Sequence, residues 1–240
     1  VIGALILTTA ALSAIIALRY IAIAGAAYWL FWGGKGRRRR SRQLNRQPPR
    51  LETVRHEVLA SMIATPIYAL PAAAALEGWK HGYTKIYLDP TAYGWWWLPA
   101  SAAIYLLAHD AFYYWLHRGL HHPRVFRWAH RGHHLSRDPS PFASFSFDPA
   151  EALLTAWFLP ALTLFIPIQL EVALALLMVM TFTAVMNHAG REIWPSAWLS
   201  RPIGRQLITA THHDRHHKYF NENFGLYFRL WDKICKTDRD

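Results

Sequence analysis

The sequence predicts an all-α, polytopic membrane helical bundle with a cytoplasmic-face, histidine-rich helical cap, and three observations carry that prediction. Apolar residues make up 53% of the 240-residue chain although its formal net charge is +11, so the two kinds of residue must be segregated along it. Several apolar stretches approach or exceed the roughly 20 residues that take a helix across a bilayer. Of the 14 histidines, only His56 and His81 precede residue 109, so the rest crowd into the second half. The length suits one integrated domain, in which residues 1–104 supply transmembrane helices and a basic cytoplasmic loop and residues 105–240 a catalytic region. Val1 is not an initiator Met, so further native sequence is expected ahead of it and no signal peptide is read. A single cysteine, Cys235, excludes an internal disulfide framework.

Taken in order, the first crossing is Ile2 to Trp32, apolar but for Arg19. Lys35, Arg37, Arg38, Arg39, Arg40, Arg42, Arg46 and Arg50 follow it directly. Basic residues beside a span place their loop in the cytoplasm and attract anionic lipid. A nucleic-acid patch is the rival reading of such a run; its position against a span disfavours it, and no nucleic-acid partner is expected. Val58 to Ala75 carries the chain back, bent by Pro66 and Pro71. A third crossing lies between Trp95-Trp96-Trp97 and Phe112-Tyr113-Tyr114-Trp115, aromatic clusters separated by about 20 residues or ~30 Å of helix, one for each interface. It delivers His117 to the cytoplasmic side. The stretch from Ala150 to Met186 is interrupted by Pro160, Pro167 and Glu171. It reads as a hairpin of two short helices that either crosses or dips and returns His188 to the side it left. From Arg191 the chain is polar and basic enough for the cytoplasm, so every histidine group converges on one face.

Those groups are His117-Arg-Gly-Leu-His121-His122, His130-Arg-Gly-His133-His134 and His213-Asp-Arg-His216-His217. Spacings of three and four put imidazoles on one face of a helix. Neutral imidazole binds iron, zinc, copper or nickel, and one ion takes only a few ligands, so eight or nine converging histidines imply two ions. Crowded and buried without metal, they would be costly. His188, delivered to the same face by the hairpin, is the ninth candidate. Glu192 is a possible tenth if its segment is helical, while His122 and His212 flank the triplets and are expected to point elsewhere. His109 and Asp110 lie inside the third crossing, where ionisable residues are expensive and usually functional. Asp110 is seven residues before His117, nearly on the same face, which suits a carboxylate that orients a ligand's second ring nitrogen. Asn187, beside His188, is given the same supporting role. A phosphohydrolase reading of His109-Asp110 fails because the pair sits in an apolar helix.

HRGLHH, HRGHH, SPFASFSFDPAE, NHAG and HHDRHHKYFNENFGLYFRLWDK, over residues 105–238, together resemble the fatty acid hydroxylase and sterol desaturase superfamily, most closely its sterol C5-desaturases (lathosterol oxidases). The resemblance implies a site with two iron ions held by His117, His121, His130, His133, His134, His188, His213, His216 and His217. It also implies a mushroom-like helical body and a lipid substrate entering from the bilayer. Asp148 stands where sterol desaturases usually carry His, and Ala189-Gly190 where an acidic residue or His usually follows; neither belongs to the triplets.

The residues point the same way. An all-histidine site leaves coordination positions open for O2 as co-substrate, and no catalytic residue beyond the metal ligands is singled out. The outcome can be hydroxylation or desaturation, since both use one ligand set. The chain has no GxGxxG fingerprint and no flavin motif, so electrons are expected from a separate donor of cytochrome b5 or ferredoxin type with its reductase. Arg118, Arg124, Arg127, Arg131, Arg137 and Arg215 could dock an acidic carrier or be ordinary positive-inside charge. A fatty acyl or sphingoid hydroxylase is the alternative within the superfamily. A zinc-dependent membrane hydrolase or metal-carrier protein is the alternative outside it, and purified protein can carry zinc in either case, since zinc outcompetes ferrous iron. A haem cytochrome would place single axial histidines within facing spans, which these are not.

Overall fold

A computed structural model describes residues 2–33, 42–45 and 47–239. Of the basic run, Lys35, Arg37, Arg38, Arg39, Arg40 and Arg46 fall outside them. The first crossing is one helix, α1 (Ile2–Trp32). It is apolar all round, with Ile6, Leu7, Leu18 and Trp29 exposed, as a helix facing lipid should be. Its inner stripe of Tyr20, Ala24 and Ala27 is buried with Val185 and Met186, because small residues let helices approach closely. The second, α2 (Leu51–Lys80), runs as one helix through Pro66 and Pro71.

The third predicted crossing also forms as one helix, α3 (Trp97–Leu120). It is not among the three described helices long and apolar enough to cross a membrane, which are α1, α2 and Leu170–Asn187. The reason is composition: His109, Asp110 and a dense set of Tyr and Trp lower its hydropathy below that of its neighbours. The predicted hairpin is present, with α5 (Pro149–Ala156) and α6 (Phe158–Leu162) leading to α7 (Leu170–Asn187). Its limbs differ, since only α7 has the length of a span.

The two ends of the bundle are tied off differently. At one end β1 (Ile86–Tyr87) and β2 (Ile168–Gln169) pair in parallel. Beside them Trp97 Nε1 donates to the Pro167 carbonyl at 3.1 Å, and the Tyr105 hydroxyl to the Ile166 carbonyl at 2.9 Å. At the other, Trp32 Nε1 from the end of α1 donates to the Ala189 carbonyl just beyond α7, at 3.1 Å. Gln43 bridges to Arg191, and Glu57 near the start of α2 accepts from the hydroxyl and amide of Ser140. The end of α1, the start of α2 and the C-terminal ends of α3 and α7 therefore share one side of the molecule. This is the arrangement that alternating crossings require.

On that side lies the cap: α4 (Pro123–Ala129), 3-10 turns at His133–Leu135, Pro141–Phe145 and Gly204–Gln206, and α8 (Ser196–Leu199), α9 (Ala210–Tyr219) and α10 (Leu230–Ile234). Proline at the first position starts α4, the second 3-10 turn and α5, because its fixed φ and missing N–H suit a helix start.

Candidate metal centre

Five elements bring the histidines together. α3 carries His117 in its last turn and is capped by His121, His130 caps α4, and the 3-10 turn at 133–135 carries His133 and His134. His188 caps α7, and α9 carries His213, His216 and His217. All nine predicted imidazoles fall into two compact groups, His117, His121, His130, His134 and His216 in one, and His133, His188, His213 and His217 in the other. Within each group one ligand atom per residue lies within 4.8 Å of the others.

Membership of the groups departs from the sequence expectation. Each HxxHH triplet is divided, with His133 separated from His130 and His134, and His216 from His213 and His217. Only the second triplet lies on an α-helix; the first spans a helix cap, with His130 at φ −147°, and a 3-10 turn. On α9 the cause is angular, since adjacent residues point about 100° apart.

The ring nitrogens are sorted by their partners. Nδ1 of His117 donates to the Phe224 carbonyl at 2.9 Å and that of His216 to the Glu222 carbonyl at 2.7 Å. Nδ1 of His133 donates to the Ser146 carbonyl at 3.2 Å and that of His188 to the Ala184 carbonyl at 2.8 Å. His130 Nδ1 meets the Glu151 carboxylate at 2.7 Å, both side chains fully buried. A neutral imidazole has one N–H and a carbonyl can only accept, so each of the four carbonyl-held rings presents a bare Nε2 lone pair to the interior, while burial pushes the Glu151 carboxyl beside His130 well above the usual carboxylate range. Burial enforces neutrality, pushing His133 down to about 3 and His188 to about 4.

The Nε2 atoms nevertheless crowd together. His117 to His130, His121 to His134 and His130 to His134 are each 3.1 Å, and His134 to His216 is 3.2 Å. In the second group His188 to His213 is 2.9 Å, His213 to His217 3.1 Å and His133 to His188 3.4 Å. Where both rings have spent their N–H on a backbone carbonyl, as in His133 with His188, such a contact cannot be a hydrogen bond. Two nitrogens each about 2.0–2.1 Å from a shared cation, at angles between square and tetrahedral, are separated by about 2.9–3.4 Å. The residues fit a pair of metal ions, one in each group.

The supporting residues correct two expectations. Asp110 touches no histidine: its Oδ1 accepts from the amides of Tyr227 and Phe228 at 2.8 and 3.1 Å. Asn187 likewise donates to the Leu226 carbonyl, at 3.4 Å. Both hold the 226–228 segment, and through it Phe224, whose carbonyl orients His117. His109 Nδ1 meets the Tyr227 hydroxyl at 2.9 Å. Glu192 is committed to Thr211 and the Trp194 amide, and neither group includes it. His212 caps α9 with Thr209, and His122 caps α4. The carboxylate that does orient a ring, Glu151, was not singled out, although it lies in the quoted SPFASFSFDPAE segment, in the first turn of a helix after Asp148-Pro149. Asp148 itself accepts from the Gly132 amide at 2.7 Å, and a Cβ at Gly132 would collide with that carboxylate.

The fatty acid hydroxylase family model matches residues 102–237, more than half of the chain and all nine histidines. The chain belongs to the fatty acid hydroxylase family. Within that family the mouse (Mus musculus) lathosterol oxidase is 31% identical over 183 residues, covering 75% of this chain and 60% of that protein. The human (Homo sapiens) lathosterol oxidase is 32% identical over the same shares. A Delta(7)-sterol 5(6)-desaturase of Schizosaccharomyces pombe is 28% identical over 92% of this chain and 63% of its own length. This fatty acid hydroxylase chain thus spans about 60% of the length of the curated relatives it matches. No solved structure matches it.

Proposed function

We propose that this chain is an integral-membrane oxidoreductase that holds two iron ions, one in each histidine group on the cytoplasmic face, and uses O2 to oxidise a C–H bond of a membrane lipid. A sterol is the favoured substrate class, because the relatives above carry the names lathosterol oxidase and sterol desaturase. The single observation that carries the reading is the crowding of Nε2 atoms 2.9–3.4 Å apart, four of them on rings whose Nδ1 donates outward to a backbone carbonyl. Nine neutral ligands shared by two ions leave coordination positions free, and the pair, once bound, supplies the activation of O2 needed to take hydrogen from an unactivated carbon.

The chain's own residues hold the frame for that chemistry. Glu151 and the carbonyls of Ser146, Ala184, Glu222 and Phe224 lock ring orientation, which fixes the tautomer and raises ligand basicity. Beside Asn187, an apolar cavity of about 270 Å³ between α3, α7 and residues 207–228 is lined by Leu106, Phe182, Met186, Ile208, Tyr227 and Phe228. Its largely apolar lining suits an alkyl or ring carbon. Hydroxylation consumes the lipid C–H, O2, two electrons and two protons and yields an alcohol and water. Desaturation consumes two C–H bonds with the same electrons and protons, and yields an alkene and two waters.

The test is metal analysis of protein made with iron in excess, followed by O2 uptake with a reduced cytochrome b5 or ferredoxin and a sterol, fatty acyl or sphingoid lipid. About two ions per chain and O2 uptake coupled to lipid oxidation are expected. Two zinc ions with no O2 uptake would instead make the chain a hydrolase or metal carrier.

A further inference from the structure

We infer that α4 and the turn leading into it form the docking surface for an acidic one-electron carrier protein. The inference rests on the oxidative reading above, which needs two electrons per lipid and finds no nucleotide or flavin motif in the chain. Between Asp110 and Asp138 there is no acidic residue, while Arg118, Arg124, Arg127 and Arg131 all fall there. All four are exposed, and none is in an ion pair with another described residue. Trp128 lies among them, 61% exposed, with its Nε1 donating to the Arg124 carbonyl at 3.0 Å. An aromatic anchor ringed by arginines is the composition of a protein-binding surface.

What lies beneath this patch decides its partner. Of the nine caged histidines, eight are buried and only His121 is partly exposed. His121 is the last residue before the His122-Pro123 turn that starts α4. The inner face of α4 is Phe126, whose ring lies 5.3 Å from that of His121 and 5.6 Å from that of His134. A carrier seated on Arg124, Arg127 and Trp128 is therefore one aromatic ring away from the five-histidine group, at the place where the cage comes nearest to solvent. An acidic carrier would be steered there by charge. It hands over one electron per encounter and leaves oxidised, two encounters supplying each lipid turnover.

The experiment uses iron-loaded protein in nanodiscs of phosphatidylcholine, which removes anionic lipid as a competitor, and the reduced soluble haem domain of cytochrome b5 or a reduced [2Fe–2S] ferredoxin as probe. Stopped-flow reoxidation and direct binding are both read. Arg124→Glu with Arg127→Glu should slow the second-order reoxidation of at least one carrier by about tenfold or more at low salt and flatten its salt dependence, while iron content and reduction by dithionite stay as in the parent. Arg201→Glu with Arg205→Glu, a charge change of the same size on residues 196–206, should leave the rate unchanged. If Arg124→Glu and Arg127→Glu lose iron, Arg124→Gln and Arg127→Gln replace them with the same expectation at smaller amplitude. Unchanged carrier kinetics in an iron-replete variant, equal losses in the control, or no binding by either carrier would overturn the proposal. So would a defect seen only when anionic lipid is added, which would make the patch a headgroup contact. Carrier binding that depends on these arginines while no lipid is oxidised would support the docking surface and count against the proposed reaction, so the two failures are distinguishable.

Discussion

The two histidine groups are built to different standards. In the four-histidine group every imidazole is buried, and His133 and His188 are held by backbone carbonyls. In the five-histidine group one ring, His121, reaches the surface, and another, His130, is held by a buried carboxylate. A ring fixed by a carbonyl has its Nδ1–H committed and its Nε2 free to bind. A ring fixed by a carboxylate gains basicity, and it also depends on a side chain 21 residues away in sequence. Each group has two rings held by backbone carbonyls, so the difference is that the smaller group is closed to solvent with fewer ligands to spare, while the larger contains the partly exposed ring and the one held by a side chain.

Removing a ligand tests this contrast most severely. His133→Ala leaves three imidazoles in the smaller group, and should cost that ion and at least about a hundredfold in turnover, since even supporting residues are worth 10–100-fold. His216→Ala leaves four in the larger group and should abolish turnover while retaining more of its metal. Metal per chain and O2 uptake measured together check both, and equal metal loss from the two variants would erase the distinction.

Glu151→Leu comes next. It should weaken metal binding at the five-histidine group alone by about 10–100-fold, with Glu151→Gln restoring part of it. A two-step metal titration with a competing chelator reads the sites separately, and a loss shared evenly between them would refute the assignment.

Acid should unfasten the metal-free protein in a defined direction. His133 and His188 titrate near 3 and 4 in the fold but near 6.5 once unfolded. Below about pH 6.5 the unfolded chain binds the extra protons, so stability falls as pH drops toward the folded values. Thermal unfolding of chelator-treated protein between pH 7.5 and 5 measures the loss, and a flat profile would contradict buried neutral rings.

Asp110→Asn should have the smallest effect. The amide keeps an oxygen for the Tyr227 and Phe228 amides, so about 1 kcal/mol of local stability is at stake, with a slight loosening of metal at the five-histidine group through Phe224. An effect as large as that of Glu151→Leu would restore Asp110 to direct contact with a ring.

What the sequence made legible follows from what was local in it. The apolar lengths of α1 and α2, the hairpin before His188 and the histidine spacings were all readable within single segments. So was their delivery to one side, because alternating crossings leave no other choice. The sorting of the neighbours His133 and His134, and of His216 and His217 on an α-helix, into different groups was not, since it depends on two ion-sized clusters lying side by side in the fold. Asp110 lay on the face that spacing predicted, but its partners are amides 117 and 118 residues later, beyond the reach of periodicity. Glu151 went unnoticed because a glutamate in the first turn of a helix is ordinarily a capping residue, and only the fold sets it against His130. The polar third helix shows the limit of aromatic belts as a signal: they marked its length correctly and overstated its hydropathy.

The contact between Trp32 and the Ala189 carbonyl ties the last turn of a lipid-embedded helix to the residue after His188. Gly190, next in the chain, has φ +63° and is packed so closely on the side chains of Trp32 and Asn45 that a Cβ there would strain the backbone and displace them. A helix adjusts its tilt when the hydrocarbon layer thins or thickens, and this seam passes that adjustment on to a cage histidine. The same polypeptide should therefore release its ions to a chelator at different speeds in short-chain and long-chain bilayers, making the thickness of the surrounding bilayer a setting of the metal site.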